Sequence, residues 1–156
     1  MKKERYQVAV VTSTRAEYGL LSPVLRALGD LPDIETELLV TGSHLSAELG
    51  NTVEEIEADG APIAARLPIL KFSNDRLGVA HTVGYTVELF ADHFSSHRPD
   101  AVLLLGDRYE IFAVASAAAV LGIPIAHISG GDVTAGAQDE FFRHSISKME
   151  IGRAHV

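Results

Sequence analysis

Short apolar runs alternate along this chain with longer stretches in which apolar residues recur every third or fourth position. Residues 8–12 (Val, Ala, Val, Val, Thr) form a continuous valine-rich run, the pattern of a strand buried on both faces. Leu20, Leu21, Val24, Leu25 and Leu28 then mark one face of a helix over residues 18–28. A second strand is predicted over 35–41, ending at the Gly42-Ser43 turn, and a helix over 43–59 with an interruption near Gly50. A short third strand follows over 62–70, and a long helix over 77–97 stops before Pro99. Residues 101–105 read as strand, 109–121 as an alanine-rich helix and 124–128 as strand. A glycine-rich loop, 129–136, leads to a last helix over 138–149, with no evident cap or following strand.

Strands that are apolar throughout, alternating with helices, predict an α/β fold: one parallel sheet covered by helices on both faces, a Rossmann-like three-layer domain. Ligands in such sheets sit beyond the carboxyl ends of the strands. That rule selects three loops, 12–19, 106–110 and 129–139, and the unusual polar residues of the chain fall there.

Composition narrows the partners. With 156 residues the chain is the size of one domain, and 47% hydrophobic and 22% charged residues are ordinary for a globular protein. A net charge of −8 argues against nucleic acid or an anionic membrane as a partner. A small anion is still admissible, because backbone N–H groups and one arginine suffice to bind phosphate. The absence of cysteine excludes disulfides, thiolate metal sites and cysteine nucleophiles, and it fits a reducing cytoplasm. The charged start leads into an apolar run of only 8–11, too short for a signal peptide, and no run reaches membrane-spanning length. A cytoplasmic location is therefore expected.

The familiar phosphate loops, Gly-x-x-x-x-Gly-Lys and Gly-x-Gly-x-x-Gly, are missing, as is the Gly-x-Ser-x-Gly elbow. Thr12, Ser13, Thr14 and Arg15 follow the first strand and open a helix. They suit phosphate or sugar binding at a helix N-terminus. They suit equally a helix cap by Ser13 or Thr14 beside a solvated Arg15. Gly106, Asp107, Arg108, Tyr109 and Glu110 close the fourth strand. Asp107 with Glu110 three residues later has capping-box spacing, and Asp107 is also a carboxylate standing at the ligand edge. His127, Ile128, Ser129, Gly130, Gly131 and Asp132 form the last loop, with Asp139 and Glu140 after it and Arg143 and His144 one turn on. Acid–base chemistry uses such carboxylate clusters; turn and helix caps use them too. No spacing of His127, Asp132 and His144 matches a metal motif, and His93 and His97 suit a solvated helix C-terminus.

Taken in order, these pieces (12–18, Thr41 to Leu45, 106–109, 127–132 and 139–148) resemble the N-terminal domain of hydrolysing UDP-N-acetylglucosamine 2-epimerases, from residue 6 to about 149. The resemblance implies the first half of a two-domain GT-B-like fold with its active site in the cleft between domains. The implied reaction removes H2 and UDP to give a glycal, then adds water to release the 2-epimer, N-acetylmannosamine, in sialic acid synthesis. Related UDP-sugars serve in legionaminic acid synthesis. It implies no cofactor and no metal, a UDP-sugar as substrate, and a homo-oligomer for the full-length enzyme. Asp107 and Asp139 then correspond to catalytic carboxylates. Arg15, Ser13, Ser43 and His44 face the nucleotide-sugar with Arg108, while Arg143 and His144 line or support the cleft.

Two departures stand out. Many members carry a catalytic glutamate where this chain has Ser129, so Asp132 is expected to take that part. The second domain, with most UDP contacts and a further catalytic histidine, is absent, and with it the end of the first domain. Residues 150–156 match a reading frame of a common sequencing-adapter oligonucleotide followed by a stop codon, and are expected to be non-native. The fragment alone is therefore expected to be inactive. Two other readings remain open: a non-catalytic nucleotide-sugar-binding domain, and the non-hydrolysing epimerase branch.

Overall fold

The computed structural model describes residues 5–129 and 140–154. In chain order the elements are β1 (Tyr6–Thr12), α1 (Arg15–Gly29), β2 (Ile34–Thr41), α2 (Val53–Ala58), β3 (Ile63–Leu67), α3 (Arg76–Ser96), β4 (Ala101–Leu105), α4 (Tyr109–Val120), β5 (Ile125–Ile128), α5 (Glu140–Met149) and β6 (Gly152–Ala154). Two short 3₁₀ turns, Gly42–Leu45 and Ala47–Leu49, lie between β2 and α2. All strand pairs are parallel, in the order β3-β2-β1-β4-β5-β6.

The continuous apolar runs are explained by a core on each face. Ala9 and Val11 of β1 point into one cluster with Leu39, Phe90, Phe94, Val102, Leu104, Ile111 and Ile146. Val10, between them, points into the other with Tyr18, Leu21, Leu38, Val40 and Ile56. Alternate residues thus serve opposite cores, which is why the middle of the strand is apolar at every position. The alanines of α4 do related work: Ala113, Ala115, Ala117 and Ala118 are buried, and small side chains let α3 and α5 pack close on either side of the helix.

Three expectations are corrected. The predicted helix over 43–59 is interrupted near Gly50 as expected, where Gly50 (φ +95°) and Asn51 (φ +47°) are left-handed, but its first part is two 3₁₀ turns and only the short α2 is α-helix. The third strand stops at Leu67, before Pro68, which has no N–H to give to a ladder. The last helix is followed by a strand after all: β6 pairs with β5, and Ile151 N–H donates to Ile125 O at 2.9 Å. The exposed edge of β5 offers unpaired backbone groups to any extended segment that reaches it, which is why side-chain pattern gave no warning.

The chain winds from β1 outward to β3, then crosses back to place β4 on the other side of β1. The switch point between β1 and β4 is where the helices diverge and a crevice opens beyond the strand ends.

Candidate active site

The loop after β1 is built around one carboxylate. Thr14 caps α1 by accepting from Glu17 N–H at 3.3 Å. Glu17 reaches back to accept from Ser13 N–H (2.7 Å), Ser13 Oγ–H (2.9 Å) and Thr14 N–H (3.2 Å). This is the reciprocal capping box, formed here rather than at Asp107. Ser13 is consequently buried with its hydroxyl turned to Glu17, a correction to the expectation that it meets a nucleotide-sugar. The Arg15 guanidinium pairs with Glu55 of α2 at 2.8 Å and is 73% exposed.

The turn after β2 docks on the same loop. Ser43 N–H and Oγ–H both donate to Ser13 O, at 2.9 and 3.0 Å. Gly42, at φ +58°, lets this happen: a Cβ there would stand 2.7 Å from Ser13 O. His44 does not face a cleft, contrary to expectation. It is fully buried, with Nε2 3.0 Å from Thr12 Oγ1 and Nδ1 2.8 Å from Thr52 Oγ1. Burial pushes its pKa down, so the ring is a neutral tie between β1 and the start of α2.

Beyond β4, Gly106 (φ +97°) turns the chain so that Asp107 projects and pairs with Arg143 of α5. The guanidinium is only 10% exposed and the carboxylate 25%. Arg108, not Asp107, is the N-cap residue of α4, and its side chain makes no cap bond. It instead donates to the buried Glu110 through two nitrogens, at 3.1 and 2.8 Å, which raises its pKa. His127 of β5 supports the loop from below: Nε2–H donates to Gly106 O at 2.7 Å, while Nδ1 lies 3.1 Å from Glu150 Oε2. A carbonyl only accepts, so Nε2 is the donor of that bond.

A cleft of about 860 Å³ opens at this edge, with Thr14, Ser43, Arg108 and Tyr109 on one side and Phe72 and Asn74 on the other. His144 lies outside the cluster: it is half-exposed and 3.6 Å from Glu140, one turn back on α5. Asp132 and Asp139 lie outside the described residues. Ser129 ends β5 in the left-handed region, at φ +63°. The structure therefore places Ser43 and Arg108 on the cleft and pairs Asp107, beside Arg108 in the chain, with Arg143, while Ser13 and His44 are buried in hydrogen bonds of their own. Sequence reasoning passed over Glu17, although Thr14 with Glu17 three residues on carries the capping-box spacing, and it read Glu110 only as a capping-box partner of Asp107.

Burial pushes the Glu17 carboxyl up to about 7, against the pull of its hydrogen bonds from Ser13 and Thr14, and the nearby Glu110 pushes it further. Two buried carboxylates and two guanidinium pairs thus meet at the switch point of a parallel sheet.

These features define a Rossmann-like α/β domain with a polar cluster beyond the carboxyl ends of its strands. The chain belongs to the UDP-N-acetylglucosamine 2-epimerase family, whose profile it matches over residues 26–150. It is 43% identical over 149 residues to polysialic acid biosynthesis protein P7 of Escherichia coli, covering 96% of this chain and 37% of that protein. It is likewise 43% identical over 143 residues to the hydrolysing UDP-N,N'-diacetylbacillosamine 2-epimerase of Legionella pneumophila, covering 92% of this chain and 38% of the relative. The crystal structure of UDP-GlcNAc 2-epimerase from Neisseria meningitidis bound to UDP-GlcNAc superposes with a TM-score of 0.83 at 22% identity, over 96% of this chain and 39% of that one. The chain spans less than two fifths of the length of these relatives.

Proposed function

We propose that this chain is the N-terminal Rossmann-like part of a hydrolysing 2-epimerase acting on a UDP-linked N-acetyl sugar. The observation that carries the reading is the Asp107–Arg143 pair at the β1/β4 switch point, in a chain whose relatives include enzymes named as hydrolysing 2-epimerases. The Arg143 guanidinium holds the Asp107 carboxyl in place, and Asp107 is proposed as the proton acceptor. The proposed chemistry moves only protons, UDP and water. The C2 proton leaves to a carboxylate as the C1–O bond to UDP breaks, giving a glycal; water then adds its hydroxyl at C1 and a proton returns to C2 from the opposite face. Asp139 and Asp132 are proposed as the partner carboxylates, in place of the glutamate whose position Ser129 occupies. Arg108 and Ser43, which line the cleft, are proposed to meet the substrate. A second, downstream domain would supply the opposing wall and most UDP contacts, and the complete enzyme is proposed to work as a homo-oligomer in the cytoplasm.

The test is UDP release by the complete protein from UDP-N-acetylglucosamine and from UDP-N,N'-diacetylbacillosamine. Release of UDP with a free 2-epimeric sugar is expected, and Asp107→Asn should reduce it by about 10³-fold. An epimer still attached to UDP would establish the non-hydrolysing branch instead. Tight binding of the nucleotide-sugar without turnover would leave a binding domain.

A further inference from the structure

Glu17 is buried and lies outside the chemistry just proposed, yet it touches both loops that frame the cleft. One side of its carboxylate accepts from the backbone of Ser13 and Thr14. Its other side faces the β4 loop, where a Cβ on Gly106 would come within 3.5 Å of Oε1. Gly106 is the residue immediately before Asp107, and Glu110 of the same loop is a charged neighbour of Glu17. We propose that Glu17 is a positioning residue of the cleft, which couples the β1 loop to the β4 loop carrying Asp107. The role of Asp107 rests on the function proposed above; the mechanical coupling does not.

The charges facing Glu17 come from the start of α4: Glu110, and Arg108, which Glu110 holds. β1 and the turn after β2 present Ser13, Thr14, Ser43 and the neutral ring of His44. The contact with Ser13 survives either protonation state. Its hydroxyl donates to the carboxylate and accepts from the carboxylic acid, because a hydroxyl does both. What changes with the proton is the β4 side. An ionised Glu17 sets a second buried negative charge beside Glu110, and both then draw on Arg108. The proton on Glu17 therefore sets the tension between the two loops, and Arg108, which lines the cleft, feels it.

The coupling is testable on the 156-residue chain by following backbone amide shifts with pH. The amides of Ser13, Gly106 and Asp107 should titrate together with a midpoint near the value of about 7 that burial gives Glu17. Glu17→Gln, which keeps the shape of the neutral acid, should abolish that common inflection, and Glu110→Gln should lower its midpoint. Gly106 and Asp107 amides that titrate unchanged in Glu17→Gln would overturn the proposal. In the complete enzyme, Glu17→Gln should keep KM and acid-side kcat within about twofold and lose the inflection in kcat, whereas Glu17→Ala should lose roughly 10²-fold in kcat. Equal loss in both variants would make Glu17 merely structural and sink the idea. If the wild-type protein releases no UDP, the proposed function falls, and the amide titration still decides the coupling.

Discussion

Arg143 of α5 closes on the carboxylate of Asp107, 36 residues earlier at the end of β4, and so fixes a helix to the ligand edge of the sheet through one ion pair. The pair is largely shielded, and removing either partner leaves a charge with poor solvation. Arg143→Met should destabilise the chain by roughly 1–3 kcal/mol in urea unfolding, and Asp107→Asn by a similar amount. The double variant should cost less than the sum, with a coupling of about 0.5–3 kcal/mol. Strict additivity would show that the two residues do not interact in solution.

That pair shows what could be read from sequence and what could not. The strand–helix alternation, the all-apolar strands and the rule about carboxyl ends were enough to put Asp107 beyond the carboxyl end of a parallel strand. Arg143 was assigned to the same region only through resemblance, since no period links residues 36 positions apart. Thr14 and Asp107 began with similar claims to be helix caps. Backbone geometry separates them: Thr14 is extended, with its side chain on Glu17 N–H, while at β4 the cap position falls one residue later, on Arg108. His44 was assigned to the cleft by resemblance alone, and the structure buries it. Two threonines, Thr12 and Thr52, lie 32 and 8 residues from it in sequence and satisfy both its nitrogens. Burial of such a ring depends on partners that local pattern does not reveal.

Close backbone approach makes two glycines irreplaceable. At Gly42 the left-handed φ of +58° meets a Ser13 carbonyl 2.7 Å from the missing Cβ. At Gly78, in the first turn of α3, a Cβ would fall 1.8 Å from Ser73 O. Backbone cannot swing aside as a flexible side chain does, so Gly42→Ala and Gly78→Ala should each cost about 2 kcal/mol or more. Gly84, also in α3, has open space around its Cα, and Gly84→Ala should be stabilising by up to about 1 kcal/mol. Thermal unfolding of the three variants checks the contrast; a Gly78→Ala protein as stable as Gly84→Ala would refute the packing.

His44 should set part of the acid sensitivity. Its folded pKa is depressed by burial below the ordinary value of 6.5, so the unfolded chain binds the proton first. The stability it contributes is whole above 6.5 and drains away as the pH falls through and below that value. His44→Gln, which can still bridge Thr12 and Thr52 but does not titrate, should flatten the dependence of stability on pH below 6.5. A curve of unchanged slope would show that the ring titrates as freely in the fold as out of it.

Glu17 should act in the opposite direction. Its carboxyl is raised from 4.5 to about 7 by burial, so the folded chain holds the proton over a range in which the unfolded chain has lost it. Stability from this group is therefore complete below 4.5, falls as the pH rises toward 7, and is at its lowest above that. A shift of that size corresponds to roughly 3 kcal/mol across the range, at 1.36 kcal/mol per pH unit. Subtracting the unfolding free energy of Glu17→Gln from that of the wild type, pH by pH, removes His44 and every other group common to both. The difference should fall by about 2–3 kcal/mol between pH 4.5 and 8. A flat difference would mean that Glu17 titrates in the fold as it does in the unfolded chain, its hydrogen bonds from Ser13 and Thr14 offsetting burial, and that this buried carboxylate carries no proton at neutral pH.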